Sequence, residues 1–275
     1  MTRSQWLPFS SFSLMSEFSP AVGAERWHCD MRRGYQRVRK KEPQIASLLS
    51  EDTTPQRIGL LAQQAVYELH YRPELLSDEE GITQIAEILN LAGEELVVQD
   101  RLISVIQNYI QNPILRERNV LHLSKGDEGF PTPIEVHSKS FWFNLFAALD
   151  CSFLEPDGTV HILDFKTGKS DFDPRQGYVY LLAAQHLYPN QKAIASFYNL
   201  ESCRWSEPLT ATDPQLSAVR TKLARIARKH EYQRQSFKEA PSQFEHIFPP
   251  SPSRIKCRNC QFHSICPSSE WQGLD

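Results

Sequence analysis

The stretch Ala148-Leu149-Asp150-Cys151-Ser152-Phe153-Leu154-Glu155-Pro156-Asp157-Gly158-Thr159-Val160-His161-Ile162-Leu163-Asp164-Phe165-Lys166 decides the fold. Two apolar runs flank Glu155-Pro156-Asp157-Gly158-Thr159, whose proline, aspartate and glycine favour a tight turn, so the runs read as the two strands of a hairpin. Asp150 and Asp164 lie symmetrically about Asp157. If the loop is odd-numbered and centred there, the two aspartates are cross-strand partners on one face, with Cβ atoms ~5 Å apart. Lys166 shares that face with Asp164, because strand side chains repeat every two residues. A two-residue Asp-Gly turn would slip the register by one and break the arrangement, so a bulge or a longer loop is required.

Leu163 and Phe165 take the opposite face and the flanking strands are apolar, so the hairpin is expected to be central and largely buried. Adjacent carboxylates in such a place repel and resist ionising together. A divalent cation removes that conflict, and hard oxygen ligands with room for water suit Mg²⁺ or Mn²⁺. The ion would acidify a water and stabilise charge on a phosphodiester, while Lys166 orients that water or neutralises the transition state. This is the chemistry of phosphodiester hydrolysis. The D-x-K triplet alone is a weak signal, since an Asp–Lys pair on a strand edge gives the same letters.

Working outward, Ile134 to His137, Phe141 to Phe153 and Val160 to Phe165 read as strands after a Gly/Pro-rich loop near 126–133. A helix is expected from about Pro174 to Leu187, stopping before Pro189. Ala193 to Leu200 reads as another strand, with Cys203 to Leu209 pairing with it, and a basic amphipathic helix follows from about Asp213 to Lys238. Upstream, Ile58, Leu61, Ala62, Ala65, Val66 and Leu69 keep a three- and four-residue spacing, which predicts an amphipathic helix over 55–69. Further helices are expected over 82–92 and 94–111, ending before Pro113. Residues 71–125 carry no usable motif, and the chain shows neither internal repeat nor low-complexity segment.

The chain has 275 residues, 40% of them hydrophobic and 23% charged, with a formal net charge of −3. That suits one elaborated domain, 1–275, with a mostly helical part to 125, a core over 126–240 and a cysteine-rich tail from 241. Tight polyanion binding is not a property of the whole chain, so any nucleic-acid surface must be local. One such cluster is Arg26, Arg32, Arg33, Arg37, Arg39, Lys40 and Lys41 with Trp27 and Tyr35. Arg32, Arg33, Tyr35 and Arg37 would supply phosphate contacts and base stacking, and a solvated helix face reads equally well. Arg220, Lys222, Arg225, Arg228, Lys229, Arg234 and Lys238 on the late helix raise the same pair of readings. The serine-interrupted start reads against a secretory signal, and no run reaches the ~18 apolar residues of a membrane span. A soluble, cytoplasmic protein is expected, whose six cysteines stay reduced or bind metal.

Asp150, the turn, then Ile162-Leu163-Asp164-Phe165-Lys166-Thr167-Gly168, followed by Gln176-x-x-x-Tyr180, resembles the core of RecB-like nucleases in the D/E-x-K superfamily. The resemblance implies a restriction-endonuclease-like α/β fold, with a mixed sheet flanked by helices. It also implies Mg²⁺- or Mn²⁺-dependent cleavage of DNA at Asp150, Asp164 and Lys166, with Gln176 and Tyr180 sharing a helix face toward the site. Single-stranded DNA or duplex ends are the implied substrate, in repair, recombination or CRISPR adaptation, beside a helicase or a CRISPR integrase. Family members carry an upstream helical glycine followed four residues later by a histidine that completes the metal shell. Here Gly59 is followed by Gln63, whose amide oxygen ligates a hard cation less strongly. His70 is a substitute two turns on, and Glu135 a weaker accessory acid.

The tail reads Cys257-Arg-Asn-Cys260-Gln-Phe-His-Ser-Ile-Cys266-Pro267, with Cys29 far upstream. C-x₂-C is a strong ligand signal. The whole pattern is similar to the four-cysteine [4Fe–4S] clasp of AddB-type and CRISPR-associated RecB-like nucleases, which implies a structural cluster pinning the two ends of the chain. Zinc is the rival, with His263 as a spare ligand. Cys151 and Cys203 read as buried small hydrophobes. The alternative to an active nuclease is a DNA-binding subunit that keeps the fold and the metal clasp but cuts poorly, and Gln63 is its best support.

Overall fold

The structure, a computed structural model, describes residues 29–50, 52–128, 131, 133–168, 172–253, 256–257 and 260–269. Arg26 and Trp27 of the basic N-terminal cluster lie outside them. The chain divides into two compact units, one from the described parts of 1–51, 135–146 and 218–275, the other from those of 52–134 and 147–217.

The second unit holds the sheet. Helix α3 (Thr54–Tyr71) starts at a capping box between Thr53 and Gln56, with Pro55 in its first turn, and buries Ile58, Leu61, Ala62, Ala65, Val66 and Leu69. It packs on α5 (Leu96–Gln111) and α4 (Gly81–Ile88). The strands are β1 (Asn119–Leu123), β4 (Cys151–Leu154), β5 (Val160–Lys166), β6 (Ala193–Asn199) and β7 (Arg204–Trp205). They form one mixed sheet in the order β1-β4-β5-β6-β7. β5 and β6 run parallel, Val160 opposite Ala193 through Lys166 opposite Asn199, and α6 (Pro174–Leu187) makes the crossover between them.

The hairpin register is symmetric about residue 157: Cys151 pairs with Leu163, Ser152 with Ile162, Phe153 with His161 and Leu154 with Val160. The connection is the longer loop that this register demands. Glu155 N–H donates to the Thr159 carbonyl at 2.9 Å, and Gly158 takes a φ of 83°, which glycine adopts at no steric cost. β5 is buried from Val160 to Phe165 because both of its faces are covered. Leu163 and Phe165 join the core of α3, α4 and α5, together with Cys151, Phe153 and Tyr198. The opposite face carries Asp164 and Lys166 toward α6. This is the expected fold class, a mixed sheet flanked by helices.

The first unit contains α1 (Asp30–Arg37), α2 (Pro43–Ser50), a two-stranded sheet of β2 (Ile134–Ser138) and β3 (Phe141–Leu145), and the residues from 218 of the long helix α7 (Asp213–Glu239). The short helix α8 (Phe244–Ile247) follows. Its core is Met31, Tyr35, Ile45, Phe244, Phe248 and Phe262.

Two sequence expectations change. The apolar run Phe141 to Phe153 is not one strand: Phe141–Leu145 pairs with β2, and Cys151–Leu154 joins the main sheet. A run broken only by Asn144, Asp150 and Ser152 has no regular period to mark where a chain leaves one sheet for another. Strand β1 had no counterpart in the sequence reading. It pairs antiparallel with β4, Leu123 opposite Cys151, and its exposure along Asn119–His122 removes the alternation that would announce a strand.

Candidate active site

Asp164 is 3% exposed on β5. Its Oδ1 accepts from the Tyr180 hydroxyl and, at 3.0 Å, from Gln176 Nε2, both on α6. Gln176 and Tyr180 are one helical turn apart, so they meet the carboxylate side by side. Gln176 uses its other end as well, its Oε1 accepting from Lys166 Nζ at 2.8 Å. Lys166 Nζ also stands 2.6 Å from Asp164 Oδ2 as an ion pair, although that oxygen, buried, has no partner in hydrogen-bonding geometry. The lysine lies over the Phe197 ring, 5.5 Å from its centroid.

Asp150 sits just before β4, and its Oδ2 accepts the Phe165 N–H at 2.8 Å, which ties it across the hairpin to the residue between Asp164 and Lys166. Burial of its carboxyl group, reinforced by the Asp164 charge, pushes its pKa up to about 8 against the pull of Lys166 and the Phe165 N–H. Burial also drives the Tyr180 hydroxyl well above the usual phenol range, so it is a neutral donor to Asp164.

These residues fit a divalent cation. Two buried carboxyl groups that repel each other across the hairpin, with only one lysine between them, form a hard-oxygen pair of the kind that binds Mg²⁺ through one or two carboxylates and substrate phosphates. Among the described residues, no group of three or more His, Cys, Asp and Glu side chains is gathered to hold a metal ion. The remaining ligands would come from water, backbone and the phosphodiester.

Gln63 bonds the backbone near Asp150 and not either carboxylate. Its Nε2 donates to the Ser124 carbonyl at 3.2 Å, and Ser124 N–H donates to the Asp150 carbonyl at 2.8 Å. His70 packs edge-on against Tyr71, with centroids 5.2 Å apart. Glu135 lies in the other unit and pairs with His137. Sequence reading passed over Glu128, whose charge adds to the rise at Asp150 and whose carboxylate accepts from Ser124 Oγ at 2.8 Å and Gly126 N–H at 2.9 Å. It stands in a loop with no motif, so nothing in the sequence marks it.

In the first unit, Cys29, Cys257, Cys260 and Cys266 line one cavity of about 30 Å³ with Met31 and Phe262. Burial, with the neighbouring sulfurs, raises the Cys260 and Cys266 thiols above the ordinary range. Arg32 lines the same cavity. Arg33 and Tyr35 are corrections: at 2% and 3% exposure they are unavailable to nucleic acid. Arg33 bonds Gln233 at 2.8 Å and Asp30 at 2.7 Å, and Tyr35 packs at a tilt against Phe244 and Phe262. Arg37 ends α1 on an exposed turn.

A mixed sheet that brings two carboxylates and a lysine to one end of a hairpin is the working part of a nuclease fold. Comparison with known proteins gives the same class. The family model of the PD-(D/E)XK nuclease superfamily matches residues 26–267, and the chain belongs to that superfamily, whose members are metal-dependent nucleases. Among curated proteins none matches the chain. Among solved structures, the one titled "Crystal structure of SSO0001" shares 13% identity with a TM-score of 0.31, over 87% of this chain and 95% of that one, and no argument rests on it. Among the described residues, no helix is long and apolar enough to cross a membrane.

Proposed function

We propose that this nuclease is a Mg²⁺- or Mn²⁺-dependent deoxyribonuclease that acts exonucleolytically on single-stranded DNA or duplex ends, with Asp150, Asp164 and Lys166 as its catalytic residues. The observation that carries the reading is the closed network in which Gln176 holds both Lys166 and Asp164 while Tyr180 holds Asp164. Asp150 and Asp164 would hold the cation, which supplies charge neutralisation at the phosphodiester and acidifies the attacking water. Lys166 places its ammonium where negative charge develops on the phosphoryl oxygens, and in a partly dry site that charge is worth far more than in water. Gln176 fixes the lysine's direction. Tyr180 aims the Asp164 carboxyl group by donating to its Oδ1, and the Phe165 N–H holds Asp150 across the hairpin while opposing part of the rise in its pKa.

In the same reading, the cavity lined by Cys29, Cys257, Cys260 and Cys266 takes a structural [4Fe–4S] cluster, with Zn²⁺ as the alternative. The support is that Cys29 lines one cavity with Cys257, Cys260 and Cys266, more than two hundred residues further along the chain. DNA repair, recombination or CRISPR adaptation, beside a helicase or an integrase, is the setting proposed for the activity.

A second reading, a DNA-binding subunit that cuts weakly, is favoured by the engagement of Gln63 with Ser124. The test is incubation of anaerobically purified protein with end-labelled single-stranded and duplex DNA in Mg²⁺, Mn²⁺ or chelator. Metal-dependent, end-directed shortening supports the first reading. Binding with no cleavage in either metal supports the second.

A further inference from the structure

Asp150 stands one residue before β4, so its backbone lies outside the register pairs of the sheet. Contacts from the end of β1 hold it instead. Ser124 N–H donates to the Asp150 carbonyl at 2.8 Å, and Nε2 of His122 lies 3.2 Å from the carbonyl of Leu149. Ser124 is gripped from two sides in turn. Its carbonyl accepts from Gln63 Nε2 on α3 at 3.2 Å, and its Oγ donates to Glu128 Oε2 at 2.8 Å. The Glu128 carboxylate also accepts from the Gly126 N–H at 2.9 Å and from the Lys125 N–H, so one side chain closes the turn 124–128. Bonds to a charged acceptor are roughly twice as strong as neutral ones, which makes this a firm closure for an exposed turn.

The turn is also shaped to lie on α3. Gly126 has a φ of 91°, and a Cβ there would stand 3.0 Å from Leu60 Cδ1 and 3.1 Å from Gln63 Oε1, closer than a side chain allows. Lys125 Nζ pairs with Glu68 Oε1 at 3.3 Å, and Gln64 Nε2 donates to Asp127 Oδ2 at 3.3 Å. We infer that Gln63 and Glu128 are positioning residues for the metal-binding aspartate: they fix Ser124, and Ser124 fixes Asp150. Gln63 acts through its amide N–H on the backbone and not as a ligand through its oxygen. The Phe165 N–H tethers the Asp150 carboxyl group, so the aspartate is set at both its main chain and its side chain. Hydrogen-bonded groups behind a metal ligand hold it in its binding direction and so tune affinity. The inference rests on the reading of Asp150 as a metal ligand and adds the residues that place it.

The test is Mn²⁺ binding by the full chain without DNA, followed by loss of the aqueous-ion electron paramagnetic resonance signal, with melting in chelator as the check on the fold. Asp150→Asn marks the binding that belongs to the site. Gln63→Glu separates the two roles of the side chain, because it adds a charged oxygen and removes the N–H. It should bind Mn²⁺ about ten-fold more weakly than wild type, the low end for groups behind a ligand. Gln63→Leu, which removes the donor and adds no charge, should weaken binding by a similar factor. Tighter binding by Gln63→Glu would make Gln63 a ligand and overturn the inference, as would wild-type affinity in Gln63→Leu. Ser124→Ala cuts only the Glu128 link and should weaken binding too, and wild-type affinity there would strike Glu128 from the pair. Asp150-dependent binding that neither Gln63 variant changes removes the positioning role and leaves the metal reading intact. Wild type without Asp150-dependent binding defeats that reading and this inference together.

Discussion

At the scale of single residues, the site is a problem in charge. Asp150 and Asp164 are turned inward together, and one lysine offsets only part of their repulsion. The pair is therefore expected to gain more from a cation than an exposed pair would. Mn²⁺ at a hundred times its dissociation constant adds about 2.7 kcal/mol to the folded state, roughly 5 to 10 °C in the melting midpoint of a chain of this size. Asp150→Asn should lose most of that metal-dependent shift while melting no lower than wild type without metal, as differential scanning fluorimetry would show. An unchanged shift would place the ion elsewhere. Residues were legible in the sequence where their spacing was tied to a motif: Asp150, Asp164, Lys166, Gln176 and Tyr180 all meet around one hairpin. Arg33 and Tyr35 were misread, because a basic and aromatic run has the same letters whether it faces solvent or closes a core. Only the distant partners Gln233 and Phe262 distinguish the two.

At the scale of elements, the hairpin carries its own register device. His161 on β5 is 5% exposed, its Nδ1 lies 2.7 Å from Glu155 Oε1, and its Nε2 is buried without a partner. Burial lowers its pKa, outweighing the Glu155 bond, since protonation would put an N–H on Nε2 with nothing to receive it. The unfolded chain thus takes up this proton at higher pH than the folded one. The contribution to stability is complete above the unfolded value of about 6.5 and declines as the pH falls through it toward the lower folded value. Between about pH 7 and 5.5 the urea midpoint of wild type should lose ground, as the pH falls, relative to that of His161→Phe, which keeps the ring packed on Phe153 and leaves the opposing contribution of Asp150 common to both. Parallel curves would refute the assignment. The turn symmetry and α6 could be read from local letters, down to the boundaries Pro174 and Leu187. β1 could not, because its partner β4 lies almost thirty residues on and its own pattern is mostly exposed.

At the scale of the whole molecule, one unit carries the carboxylates and the other the cysteines. A closed thiolate site in the latter would supply folding energy without touching the chemistry. Protein purified without oxygen should be brown, with absorbance near ~400 nm that Cys257→Ser removes. A colourless protein holding zinc would assign the cavity to the rival metal. The same variant should unfold more readily, as the other three cysteines of the cavity, Cys29, Cys260 and Cys266, pack against the core of Met31, Tyr35, Phe244 and Phe262. The formal charge of −3 gives the chain no general attraction for DNA, so recognition must come from local surfaces.

The central claim is that phosphodiester cleavage depends on the lysine held by Gln176 and Asp164. Its most direct test compares wild type with Lys166→Ala on end-labelled single-stranded DNA in Mn²⁺, with circular dichroism and oligonucleotide binding measured on both. The account predicts that cleavage falls at least about a hundred-fold while fold and binding persist, as for loss of a group that stabilises transition-state charge. Cleavage by Lys166→Ala at the wild-type rate would contradict it.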